Sequence, residues 1–167
     1  MKKVALAVVL TMFGIGTAFS QASPAMKAEG ENVSVSYGQP SKKGRVIFGK
    51  DGTGSLETYG KVWRTGANGA TEVNFAKDVV FGGTPVKAGK YTLYTIPGEA
   101  EWTVILNSEL KQWGAYNYEK VKDKNVAVVK VAAKKLAAPV EKLTFEVKDN
   151  ALQFAWDQAG FAVPMKF

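Results

Sequence analysis

Apolar and polar residues alternate with a period of two through most of the chain. Val33, Val35 and Tyr37 fall on one side of an extended segment and Ser34 and Ser36 on the other, which predicts a half-buried strand over 32–37. Residues 90–96 alternate as cleanly. Pro97-Gly98 then turns the chain into 102–106, the clearest hairpin signal in the sequence. Leu143, Phe145 and Val147 share a face, as do Leu152, Phe154 and Trp156. Residues 45–48, 78–81, 126–131 and 161–165 read as further short strands, with Gly82-Gly83 and 87–90 as turns and 134–139 as a linker. Ser108 is placed to cap one short helix through Trp113, stopped by Gly114. About ten short strands and almost no helix define an all-β fold, an antiparallel β-sandwich or jelly-roll-like domain with one short helix.

The densest mix of aromatic, charged and turn residues is 59–78, YGKVWRTGANGATEVNFAKD. Residues 62–65 and 71–75 suit strands, and Gly-Ala-Asn-Gly between them is a hairpin signal. A two-residue loop at Asn68-Gly69 would set Trp63 opposite Asn74 and Arg64 opposite Val73. A three-residue loop, 67–69, would set Arg64 opposite Glu72 and Trp63 opposite Val73. The second register is favoured because it keeps apolar partners together and forms a cross-strand ion pair. Trp63, Arg64, Asn68 and Glu72 are the first candidates for a ligand site.

The amino terminus changes the domain reading. Lys2 and Lys3 precede an apolar run over 4–15, and Ala18-Phe19-Ser20 is a small-x-small cleavage signature. Residues 1–20 therefore read as a signal peptide, cleaved before Gln21. The apolar run is short for a membrane span, and none is expected after cleavage. Residues 21–31 lack periodicity and read as a flexible lead-in, leaving 32–167 as a single β-sandwich-like domain. The chain is 167 residues with a net charge of +7, which falls to +5 when Lys2 and Lys3 leave. The protein is expected to be exported, periplasmic or extracellular.

Two absences restrict the chemistry. With no cysteine there is no disulfide, thiolate nucleophile or thiolate metal site, and with no histidine Ser-His-Asp and Cys-His constellations are impossible. Most zinc sites go with them. No loop carries Asp or Asn at alternating positions as a calcium loop does, so no metal or other cofactor is expected. The Gly-rich segment 49–54 lacks the Gly-Lys-Ser/Thr ending of a phosphate loop and reads as a turn. Lys42, Lys43 and Arg45, and likewise Lys120, Lys122 and Lys124, read as solvated faces. A basic stripe interleaved with aromatics is missing, so no nucleic acid partner is expected. Glu99 and Glu101 flank the Pro97-Gly98 turn, and paired carboxylates are what glycoside hydrolysis needs. Acidic residues beside a turn are more often solvent-facing, so no catalytic residue is assigned.

Aromatic residues dominate sandwich cores, which makes a core role the default for Trp63, Trp102 and Trp156. Trp113 is the exception, because Tyr116 and Tyr118 accompany it in an irregular segment. Trp113 and Tyr116 therefore join the ligand-binding candidates. Segments 36–49, 59–75, 87–107 and 112–119 together resemble a family of secreted bacterial proteins known as domain of unknown function 2911. The resemblance implies an exported domain and supplies no activity or catalytic residues. The chain departs from that family's pattern at Gly69, where Glu is common, and at Thr58, where Pro is.

These features favour a non-enzymatic binding module for a polar, anionic or carbohydrate ligand, with a small molecule or glycan as partner. The alternatives are a carboxylate-dependent hydrolase and a structural or assembly domain of the cell envelope.

Overall fold

The computed structural model describes residues 22–167. The signal peptide expected over 1–20 lies outside the described residues. Twelve strands follow in order: β1 (Ala25–Glu29), β2 (Val33–Gly38), β3 (Phe48–Gly49), β4 (Glu57–Thr58), β5 (Thr71–Phe75), β6 (Val79–Phe81), β7 (Thr84–Val86), β8 (Gly89–Ile96), β9 (Glu101–Asn107), β10 (Asn125–Ala132), β11 (Lys134–Lys148) and β12 (Ala151–Lys166). One short helix, α1 (Tyr118–Val121), precedes β10.

The strands form an antiparallel six-stranded sheet, β1-β2-β5-β8-β9-β10, and a four-stranded sheet, β11-β12-β6-β7. A small parallel pair, β3-β4, completes the set. This is the all-β sandwich expected from the alternation. The inward-facing set of each sheet makes one core, with Val35, Val73, Leu93 and Val104 from the large sheet against Phe81, Leu143, Phe154 and Trp156 from the small one. Aromatic rings fill its centre. Trp63 and Trp156 stack with centroids 5.9 Å apart, and Phe48 sits edge-on to Trp63, Trp102 and Trp156. Trp63, Trp102 and Trp156 are buried, as aromatics in a sandwich core should be, and Trp113 is exposed.

Several elements differ from expectation, each for a local reason. Residues 25–29 form an edge strand on β2, because edge pairing uses backbone groups and needs no apolar alternation. Residues 134–139 belong to β11 rather than a linker, and 151–166 is one long strand rather than two. Asp149 and Asn150, both at φ 53°, make the tight turn joining these strands. The helix lies at Tyr118–Val121, not over 108–113. The 108–113 segment instead spends its backbone on neighbours: Glu109 O accepts from Thr92 Oγ1 at 2.6 Å and Gln112 O from Ala70 N at 2.8 Å.

The central hairpin does not form in either register. Strand β5 is already paired on both edges, with Val73 opposite Val35 of β2 and Tyr91 of β8. Residues 62–65 therefore have no edge of β5 to join. Trp63 instead pairs with Thr95 further along β8, through bonds of 2.8 and 3.0 Å. Residues 65–70 make an excursion between these two stretches of the same line, closed by Thr71 N donating to Arg64 O at 3.1 Å. Gly38 makes room for it, since a Cβ there would lie 2.2 Å from Ala67 O.

Candidate functional site

The outer face of the large sheet carries Thr92 and Tyr94 of β8 and Ile105 and Asn107 of β9, all buried. They are covered by the strap of residues 108–124. Tyr118 packs edge-on against Tyr94 at 5.2 Å, and Asn107 Nδ2 donates to Val121 O at 2.7 Å and to Asn125 Oδ1 at 2.8 Å. The Trp63–Thr95 pair sets Arg64 across from Tyr94 in register, on this outer face. Thr65, the next residue, has φ 57°, a rare conformation for a β-branched side chain. It is held there by a 3.0 Å contact between the Thr65 and Thr95 hydroxyls and by Thr71 Oγ1 donating to Thr65 O at 2.8 Å. The backbone that aims Arg64 is thus fixed on both sides.

Arg64 does not pair with Glu72, as the favoured register required. Glu72 pairs with Lys90 at 3.8 Å and accepts from Lys111 N at 3.1 Å. Among the described residues Arg64 makes no ion pair, and its Nε is buried without a hydrogen-bond partner. Arg64 lines a cavity of about 220 Å³ with Glu57, Val62, Trp63, Ala115 and Tyr116. Trp63 Nε1 is also buried without a partner, but its ring lies on the opposite, core-facing side of the segment, stacked on Trp156. Burial pushes the Glu57 carboxyl up from 4.5 to about 7, against a smaller opposing pull from the Arg64 guanidinium. A carboxyl in that state is a hydrogen-bond donor over half of the near-neutral range. Tyr116 is 81% exposed, and its ring stands over Gly114, where a Cβ would come within 2.6 Å of it. The cavity therefore brings the unpartnered Arg64 Nε and the Glu57 carboxyl beside an open aromatic ring.

Of the sequence candidates, Trp63, Arg64 and Tyr116 come together here. Asn68 and Glu72 lie apart, along a shallow groove beside β1 and β2. Asn68 holds the amino-terminal segment through Nδ2 to Ser23 O at 3.0 Å. Trp113 is 68% exposed and its backbone bridges Gly69. Glu57 was missed. It sits alone on a two-residue strand, and nothing in sequence separates such a glutamate from a solvated one. Two members of the basic cluster have structural partners: Lys42 pairs with the largely buried Asp157 at 2.5 Å, and Arg45 donates to Ser41 O at 2.7 Å. Glu99 and Glu101 are separated by their partners, Lys50 at 3.6 Å and Lys130 at 3.0 Å.

The fold and cavity define a two-sheet antiparallel sandwich with a small donor-lined pocket on the outer face of its larger sheet. The chain belongs to the family described as Protein of unknown function (DUF2911), which matches residues 20–165. No curated protein and no solved structure matches it. Among the described residues, no helix is long and apolar enough to cross a membrane, and no three acidic residues gather as a metal site.

Proposed function

We propose that this protein is an exported, non-enzymatic binding module whose ligand presents a small anionic group, a carboxylate in the simplest case, to Arg64. One observation carries the reading: the cavity holds an unpartnered buried donor, Arg64 Nε, beside a glutamate whose carboxyl burial pushes up to about 7. A buried donor without a partner is destabilising by about 1–3 kcal/mol, and an occupant that accepts this hydrogen bond offsets that cost. A carboxylate matches the planar fork of arginine, and protonated Glu57 can donate to it. The cavity is smaller than the ~300–1,000 Å³ of drug-sized sites, which limits the buried part of the ligand to a small group. The rest of the ligand would lie against the exposed Tyr116 ring.

The test is direct binding of benzoate, a flat carboxylate, to wild type and Arg64→Lys. A lysine keeps the charge and loses the fork, so binding should fall at least tenfold while the melting temperature stays unchanged. Equal binding by both proteins would remove Arg64 from the site. Export rests on residues 1–20, and an intact mass beginning at Gln21 in secreted material is its check. The hydrolase alternative has one observation in its favour. Glu99 and Asp157 line a common cleft that shares no lining residue with the Arg64 cavity, and cleavage of an oligosaccharide there would be its sign.

A further inference from the structure

The largest irregularity in the small sheet has no part in the Arg64 pocket. Strand β11 runs in register with β12 from Lys134↔Gly160 to Lys135↔Ala159, slips before Val140↔Asp157, and slips again before Thr144↔Ala155. Four residues of β11, 136–139, therefore face the single residue Gln158, and three, 141–143, face Trp156. Bulges of this kind re-aim side chains and recur next to functional sites. Here Asp157 takes φ 52°, and the pair of strands opens beside β3.

The opening is a cleft of about 400 Å³, within the range of small-molecule sites. One wall is aromatic, formed by Phe48 and Tyr59 with an edge of buried Trp102 behind them. The rim is polar and of both signs, with Glu99, Asp157, Lys134, Lys135 and Gln158 along it. The Tyr59 phenol stays protonated, because burial first, and then the Glu99 and Asp157 carboxylates, push it up. Glu99 and Asp157 are each already paired, with Lys50 at 3.6 Å and with Lys42 at 2.5 Å, so a cationic ligand finds no free carboxylate there. A neutral ligand with many hydroxyls would meet acceptors and donors alternately around its rim and an apolar ring for its C–H face. Aromatic side chains with a polar tip serve such half-wet contacts well.

We propose that this cleft is a saccharide-binding site, in which a neutral sugar ring lies on Tyr59 and Phe48 and its hydroxyls are held by Glu99, Asp157, Gln158 and the two lysines. The site is separate from the Arg64 pocket and stands or falls independently of it. Asp157 is a positioning residue as well as a contact. Its ion pair with Lys42, with both side chains about four-fifths buried, fixes the bulge that opens the cleft.

The experiment is a two-dimensional NMR titration of the chain from residue 21 onward with cellohexaose, N-acetylchitohexaose and maltohexaose, followed by calorimetry on any that binds. At least one should shift the amides of residues 48, 59, 99 and 157–159. Tyr59→Ala should weaken it at least tenfold, and Arg64→Lys should leave it within twofold of wild type. If Tyr59→Ala does not fold, the surface double variant Glu99→Ala with Gln158→Ala takes its place and should weaken binding several-fold at unchanged melting temperature. Three oligosaccharides that move no amide in the cleft, or binding that survives both variants, would overturn the assignment. Benzoate binding has no bearing on this outcome, so failure of either site can be told from failure of the other.

Discussion

Replacing Glu57 with glutamine isolates the electrostatics of the Arg64 pocket. Burial raises the Glu57 carboxyl from 4.5 to about 7 in the folded protein. The folded state therefore holds a proton that the unfolded chain has released across that interval. Stability contributed by the neutral carboxyl is fully present below pH 4.5, declines as pH rises, and is gone above about pH 7. The interval corresponds to on the order of 3 kcal/mol if the group were sealed from water. The cavity is open on one side, so about 1–3 kcal/mol is the working range. Glutamine has the same shape and never ionises. Glu57→Gln should match wild type at pH 4.5 and exceed it at pH 8, by roughly 2–4 °C in melting temperature for each kcal/mol. The assay is a pair of thermal melts at half-unit pH steps, reading only the difference between the two proteins so that other titrating groups cancel. A difference that is constant with pH, or a variant less stable at pH 8, would refute the account of a desolvated Glu57.

Trp156 is fully buried in the aromatic centre, stacked on Trp63 with Nε1 donating to Glu141 O at 3.3 Å. Trp156→Ala should therefore lower stability by about 3–5 kcal/mol in denaturant titration, and near-normal stability would contradict the core packing described. The Tyr94 hydroxyl is buried without a partner, and burial, with Tyr118 and Glu109 adding, pushes it up to about 12. Tyr94→Phe should be neutral or stabilising by up to about 1–3 kcal/mol. A clear loss in its thermal melt would mean that the hydroxyl is satisfied in solution.

Much of the sandwich was legible because alternation reports which residues face inward, and it does so for β2, β8, β9, β11 and β12 alike. What alternation does not report is pairing across long sequence separations. Val62–Thr65 reads as a good partner for β5 from its local pattern. Strand β5, however, is sandwiched between β2 and β8, each joined to it across a long stretch of intervening chain, as in Val35 with Val73 and Val73 with Tyr91. The same blindness hid the cavity. Trp63, Arg64 and Tyr116 could be chosen on residue type, and the cavity unites them. Asn68 and Glu72 carried equal local signals and are spent on other contacts, and Trp113 is exposed and does not line the cavity. Glu57 becomes chemically distinctive only through burial by residues 62–64 and 115–116, and burial is a tertiary property. The bulges of β11 were invisible too, because 134–139 has the composition of a linker and its strand character comes from β12.

The central claim is that Arg64 holds an anionic group with help from a protonated Glu57. Calorimetric titration of benzoate, with benzamide as its neutral counterpart, at pH 6 and pH 8 tests it most directly. Glu57 is mostly neutral at pH 6 and ionised at pH 8, where it repels an anion and competes for Arg64. The account gives benzoate binding at pH 6, about tenfold weaker at pH 8, with benzamide binding poorly at both. In Glu57→Gln the pH dependence should vanish while binding at pH 6 remains. Equal affinity for benzoate and benzamide, or benzoate binding that strengthens as the pH rises, would contradict it.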